Sequence, residues 1–197
     1  LDVVYYSEYD SSLSVYKKPI RTSTNGTTIT ATTAGSQDNP YVKSSAKGFR
    51  LPTSVEYEFA ARYIGTTAPT NTNVVLKDGV YYTNGSSASG ASAAYTDNVA
   101  TSLVAVFYRN YTDASTYTSV TGTAAVKSSA ANALGLYDIS GNVLKWNFDW
   151  YTGSTTYRVL RGGCFYSNAY STQVGGVGSH GPCLANDDCG FRFSRTK

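Results

Sequence analysis

Two short arginine–glycine signatures frame the carboxyl end of this chain. Arg161-Gly162-Gly163 makes an arginine-bounded turn, and Gly190-Phe191-Arg192 closes the segment that follows. Between them lie all three cysteines (Cys164, Cys183, Cys189) and the one histidine, His180, among glycines and small polar residues. Lysine, glutamate, methionine and tryptophan do not occur there. A regular frame around an irregular filling points to a loop-rich fold that displays a surface, not to a reaction centre.

The rest of the chain agrees with a loop-rich fold. Charged residues are 15% of the 197, below the roughly one quarter of an ordinary soluble domain. Gly, Ser, Thr, Asn and Tyr fill the difference and favour strands, turns and long loops. The length is that of a single domain, 1–197, with a core of normal size. A net charge of +3, with Lys17-Lys18 as the only adjacent basic pair, argues against nucleic acid as a partner. No apolar run reaches the roughly 18–20 residues of a membrane span. The opening LDVVYYSEYD has neither an initiator methionine nor a basic-then-apolar signal, as expected of a processed or trimmed product. Three cysteines cannot all pair; Cys183 and Cys189 are near enough for a small loop, but spacing does not fix bond geometry, and free thiols are expected.

Residues 1–46 read as strands and turns, with Asn25-Gly26 as a hairpin signal inside a Thr-rich stretch. One helix is well marked, in GFRLPTSVEYEFAARYIG. Thr53 and Glu56 have capping-box spacing, Val55, Phe59 and Tyr63 form an apolar stripe, and Gly65 is placed to close the helix. Glu58 reads as a structural or solvated carboxylate. Residues 66–130 read as long surface loops tied down at Val80–Tyr82 and Leu103–Tyr108. In NALGLYDISGNVLKWNFDWY, Asp138 and Ser140-Gly141-Asn142 mark a turn, and Trp146 and Trp150 are expected in the core that follows.

In this order, GFRLPTSVEYEFAAR, NALGLYDISGNVLKWNFDWY and the RVLRGG…GFR frame resemble the formylglycine-generating enzyme (sulfatase-modifying factor) family, over residues 40–65 and 125–197. The resemblance implies an α+β, C-type-lectin-like fold: a small, twisted, mostly antiparallel sheet, two helices and abundant loops. The family's enzymes oxidise a substrate cysteine with two cysteines shortly after the Gly-Gly turn. Aligned on Gly162-Gly163, those positions hold Ser167 and Thr172, and a hydroxyl does not replace a thiolate. Cys164 falls three places too early. Another branch holds iron with several histidines, and this chain has only His180. Members also bind calcium near the SGN loop, where W-E-W follows. Here Leu144-Lys145-Trp146 stands instead, and Asn142 with backbone carbonyls is a thin shell for an ion that takes about six to eight oxygens. Neither calcium nor another cofactor is expected, and Asp187-Asp188 read as solvated charge.

Within this fold group the chain resembles the variable proteins of bacterial and phage diversity-generating retroelements. Their diversified region lies at the carboxyl end, between an RGG-like turn and a GFR-like close, and arises by rewriting adenines in template AAY codons. Such codons cannot yield Glu, Lys, Gln, Met or Trp; within Cys164–Cys189 only Gln173 belongs to that set, and it falls with Ala169, Val174 and Pro182 among positions matching the frame. The resemblance implies a non-catalytic, diversified ligand-binding protein, receptor- or adhesin-like, with residues 164–188 as the variable region. The contact residues would be Cys164, Phe165, Tyr166, Ser167, Asn168, Tyr170, Ser171, Gly176, Val177, Gly178, Ser179, His180, Cys183, Leu184, Asn186 and Asp187. Aromatic anchors with Ser, Asn and Gly between them are the chemistry of a paratope, although Phe165 reads equally well as core.

Arg161, Gly162, Gly163, Trp146, Trp150, Gly190, Phe191 and Arg192 would form the scaffold. The two arginines would brace its base through buried carboxylates or carbonyls. The ligand would be a protein or a glycan, and the address extracellular or the bacterial surface, with a lipid anchor on a preceding segment. The alternatives are an oxidase of the formylglycine-generating type and an undiversified sugar-binding surface protein.

Overall fold

A computed structural model describes residues 2, 4–19, 33–36, 38–111, 117–183 and 186–196. The hairpin expected at Asn25-Gly26, and Leu184 among the contact residues, lie outside them.

The capping box forms as the spacing requires. Thr53 Oγ1 accepts from the Glu56 N–H (3.2 Å), and Glu56 Oε2 accepts from the Thr53 N–H (2.9 Å). Together they satisfy donors that the first turn leaves unpaired, and the helix runs Ser54–Arg62. Its buried face differs from the expected stripe. Val55 and Phe59 are exposed, at 77% and 52%, while Tyr57 and Ala61 pack against Ile139, Val174 and Leu136. Both pairs are spaced four apart, so periodicity alone does not choose between them. The choice falls to Tyr57, whose hydroxyl donates to the Ile139 carbonyl and so can be buried. Gly65 does not close the helix either. The chain leaves helical angles at Tyr63, and Tyr63–Gly65 becomes a strand paired with Val80–Thr83, which pairs in turn with Val74–Lys77.

The central sheet orders its strands as Gly178–His180, Arg158–Arg161, Leu144–Trp150 and Cys189–Phe191. Its pairs are antiparallel except the last, where Leu144–Trp150 and Cys189–Phe191 run parallel. Smaller antiparallel sheets surround it. Tyr5–Asp10 lies between Val15–Pro19 and Tyr41–Val42, and Phe49–Arg50 pairs with Ser194–Arg195. With a second helix at Asn98–Ser102, capped by Asp97, this is the α+β, loop-rich architecture expected.

Two expectations about burial are corrected. Residues 66–130 are tied down at Val104, Ala105 and Phe107, within the expected patch, but Ala88 and Ala91, outside it, are buried in the same cluster with Ala169. Small residues permit this, provided their hydroxyls are paired. Ser89 Oγ donates to Ala61 O (2.7 Å), and Ser140 Oγ accepts from the Ser89 N–H (3.0 Å). On the Leu144–Trp150 strand the buried side chains are Lys145 and Asn147, and both tryptophans are half-buried. A register shift lies between Trp146 and Trp150, and the Arg158 guanidinium covers the Trp150 ring at 3.4 Å.

Candidate ligand-binding face

The frame closes on one residue of the central strand. Lys145 stands opposite Arg161 in one neighbouring strand and opposite Gly190 in the other. The ends of the framed segment are thus two strand spacings apart, about 10 Å. Gly162 (φ +92°) and Gly163 (φ +70°) turn the chain out of the sheet. A Cβ on Gly162 would sit 2.5 Å from both Ile139 O and the Tyr57 hydroxyl, and one on Gly163 would sit 2.7 Å from Ser171 O. Neither φ nor space admits another residue. Beyond the turn, Asn168 caps a short 3₁₀ helix at Ala169–Thr172. The chain then crosses residues 85–87, where the Val174 N–H donates to Ser87 O (2.8 Å) and the Gly175 N–H to Gly85 O (3.0 Å). It next forms the sheet edge at Gly178–His180 and returns.

Arg161 holds this path against the first helix. It is 3% exposed and donates to Glu58 Oε2 (2.6 Å), Ser54 Oγ (3.0 Å), Val174 O (3.2 Å) and Gly176 O (2.7 Å). Burial works to raise the Glu58 carboxyl pKa, but hydrogen bonds from Arg161 and Arg62 overcome it and hold the group below its ordinary value. Arg192, half-buried, donates to Tyr137 O (2.6 Å). The bracing by the two arginines is therefore unequal.

The nominated contact residues separate by exposure. Tyr166, Asn168, Tyr170, Ser171, Val177, Gly178, His180, Asn186 and Asp187 are exposed; Ser167, Gly176, Ser179 and Cys183 are half-buried. Cys164 (1% exposed) and Phe165 (6%) are core, and their nomination is corrected. They follow the glycine turn directly: the Phe165 N–H donates to Asn142 O (2.8 Å), and Cys164 Sγ lies 3.0 Å from Ser167 Oγ. All three cysteines are free thiols. Phe191, placed in the scaffold, is itself exposed.

Tyr170 meets the edge of Tyr95 (5.3 Å), and Ser167 O accepts from the Tyr108 N–H (2.8 Å). At the sheet edge, His180 packs on Tyr157 (6.5 Å). Tyr95, Tyr108 and Tyr157 lie outside the frame in sequence, and only the fold brings them to it. Asp188 was also missed: it is buried, not solvated. Its carboxylate first, and desolvation second, push the Tyr166 phenol up to about 12. Burial first and Asp188 second push the Cys189 thiol to about 12 as well. At the aligned oxidase positions, Thr172 is fully buried and donates to Ala169 O (2.7 Å).

The SGN loop does not fit a cation. Asn142 Oδ1 accepts from the Ala124 N–H (3.1 Å) and Nδ2 donates to Ala124 O (3.2 Å). Lys145 Nζ donates to Gly141 O (2.6 Å), placing a buried amine inside the loop. Desolvation lowers the pKa of this group from 10.5 to about 7, with Arg192 pushing the same way and Asp138 and Cys164 opposing. A lysine depressed in the folded state binds fewer protons there than when unfolded, so stability rises with pH between about 7 and 10.5. Lys145→Met is expected to melt higher than the unmodified chain at pH 6, and that gain should shrink by the order of 2–3 kcal/mol by pH 9. Paired thermal melts measure it; a gain independent of pH would rule out a buried, titrating Lys145.

The profile of the sulfatase-modifying factor enzyme 1-like domain family matches residues 2–197, and the chain belongs to that family. Among solved structures it is similar to Treponema denticola variable protein 1, at 28% identity and a TM-score of 0.55, over 78% of this chain and 50% of that one. It is also similar to CarF, at 27% identity and a TM-score of 0.53, over 81% of this chain and 52% of that one. A curated relative, the chaperone protein LppX of Paenibacillus barcinonensis, is 34% identical over 71 residues, 34% of this chain and 25% of its own length. The chain thus spans about half of the similar structures and a quarter of that relative.

Proposed function

We propose that this domain is a non-catalytic, diversified ligand-binding protein. The observation that carries the reading is the contrast within residues 164–188. Exposed Tyr166, Tyr170, Asn168, Ser171, Val177 and His180 stand on a path whose ends share Lys145 and whose middle is clamped by Arg161. Such a segment can exchange its outward side chains while its backbone stays in place. Similarity to the treponeme variable protein supports the same reading. Tyr166 and Tyr170 supply contact area at low entropic cost, and the short polar residues adapt. The ligand is a protein or glycan, met outside the cell or at a bacterial surface.

Sequencing the gene and its downstream DNA across many clones tests this. Substitutions are expected to concentrate at codons 166, 168, 170, 171, 177, 180, 186 and 187, with a near-copy carrying AAY codons nearby. An invariant gene without such a copy leaves an undiversified binding protein and overturns the proposal.

A further inference from the structure

The strand Val74–Lys77 lies at one side of its three-stranded sheet and pairs only with Val80–Thr83. Asp78 and Gly79, both at positive φ (+51° and +77°), make the two-residue turn that closes this hairpin, so Lys77 and Val80 exchange backbone bonds. The same phase holds at the far end, where the Asn84 N–H donates to Asn73 O (3.1 Å). Bonded pairs alternate along an antiparallel ladder, so Val75 also turns its backbone to Tyr82. Val74 and Leu76 therefore turn their N–H and C=O groups outward, where no described residue pairs with them. Such a row of alternating donors and acceptors is answered by another polypeptide strand.

The open edge runs beside a groove of about 460 Å³ between the hairpin and the outer face of the first helix, lined by Val55, Phe59, Val75 and Tyr82. Val55, Phe59 and Val75 are exposed, as is Leu76 on the other face of the strand. Glu58 and Arg62 also line the groove, but they are already paired with each other (3.0 Å), and Glu58 with Arg161 (2.6 Å). The edge is its own complement. Turned about a two-fold axis at Val75, Val74 of one copy lies opposite Leu76 of the other, apolar against apolar. Both of those pairs exchange their outward N–H···O bonds, and the two Val75 side chains meet in the close, non-bonded position. Lys77 then falls opposite Asn73, and Asp78 opposite Thr72, so no like charges face each other.

We propose that this edge is a dimer interface: two copies of the chain pair Val74–Lys77 edge to edge, antiparallel and centred on Val75. The contact is isologous, the same surface serving both copies. It joins the two grooves across the axis and covers apolar surface that Val55, Phe59 and Val75 leave open in a single copy. An unrelated extended segment would meet the same backbone groups, but the apolar register and the absence of opposed charge are what the edge offers to itself. No described residue of 164–188 lines the groove, so the pairing is independent of what the exposed face carries.

Sedimentation velocity of the intact chain from about 1 to about 300 µM, under reducing conditions that keep the three thiols free, tests this. A monomer–dimer equilibrium with a Kd of about 100 µM or tighter is expected. Over the same range, exchange of the Val74 and Leu76 amides should slow at least about three-fold, and that of Val75 and Lys77, already bonded in the hairpin, should change less. Leu76→Pro removes an outward donor, which an edge strand tolerates, and should weaken the dimer at least about ten-fold. Should that variant fail to fold, exposed Val75 decides. Val75→Lys and Val75→Glu each set like charges against one another at the axis and should be monomeric, whereas their equimolar mixture should dimerise. A monomer at about 300 µM overturns the proposal, even one that binds an extended peptide at this edge. So does a dimer that both like-charge variants retain, or a mixture of the two that stays monomeric.

Discussion

Arg161→Ala is expected to cost about 3–5 kcal/mol, the range for removing one partner of a buried charged network. The side chain is 3% exposed and joins parts far apart in sequence: Ser54 and Glu58 on the first helix, and the Val174 and Gly176 carbonyls of the framed segment. Truncation leaves both carbonyls without this donor and leaves Glu58 with Arg62 alone (3.0 Å). At roughly 2–4 °C per kcal/mol for a chain of this size, the melt should fall by about 10 °C. Amide exchange at residues 174–178 should accelerate more than at Leu144–Trp150, because the clamp acts on the former. Arg161→Lys keeps the charge but not the planar fork, and should recover only part of the loss. The Glu58 carboxyl lies below its ordinary value in the folded state, so its contribution is present above the unfolded pKa and lost as pH falls. The variant should therefore show a shallower acid limb. A melt within about 2 °C of the unmodified chain would sink the clamp, as would a loss confined to the first helix.

What was legible in the sequence is local chemistry; what was not is the choice among equivalent faces. Thr53 and Glu56 specify a helix start by spacing alone, and the start forms there. The same helix offers Val55/Phe59 and Tyr57/Ala61 as apolar faces, and the tertiary partner Ile139 O decides for the second. The positive φ of Asp138, Gly141 and Asn142 agrees with the turn marked in SGN, but the amine of Lys145 folding back onto Gly141 O does not follow from sequence order. Cys164 and Phe165 belong to the framed segment by sequence and to the core by position, because the glycine turn carries them inward before the chain emerges at Tyr166. The low charge and small side chains of residues 66–130 read as surface, yet Ser87, Ala88 and Thr101 are fully buried. Small polar residues enter a core whenever the backbone supplies their hydrogen bonds, and sequence does not display those partners.

Gly162→Ala separates two reasons for a glycine, and its effect should be comparable with that of Arg161→Ala. Gly162 and Gly153 both have positive φ, +92° and +76°. They differ in surroundings: a Cβ on Gly153 meets nothing within 4 Å, whereas one on Gly162 meets Ile139 O and the Tyr57 hydroxyl at 2.5 Å. Gly153→Ala therefore pays only for backbone conformation, about 1–2 kcal/mol. Gly162→Ala carries that cost and also pushes apart the hydrogen bond by which Tyr57 is buried. The total should reach about 4 kcal/mol or more, as expected when strain, overpacking and a broken buried bond coincide. Urea unfolding of the two variants measures the difference directly. A gap of at least about 2 kcal/mol places the requirement in close approach between the turn and the first helix. Equal losses would mean that φ alone demands the glycine and that the turn does not rest on Tyr57.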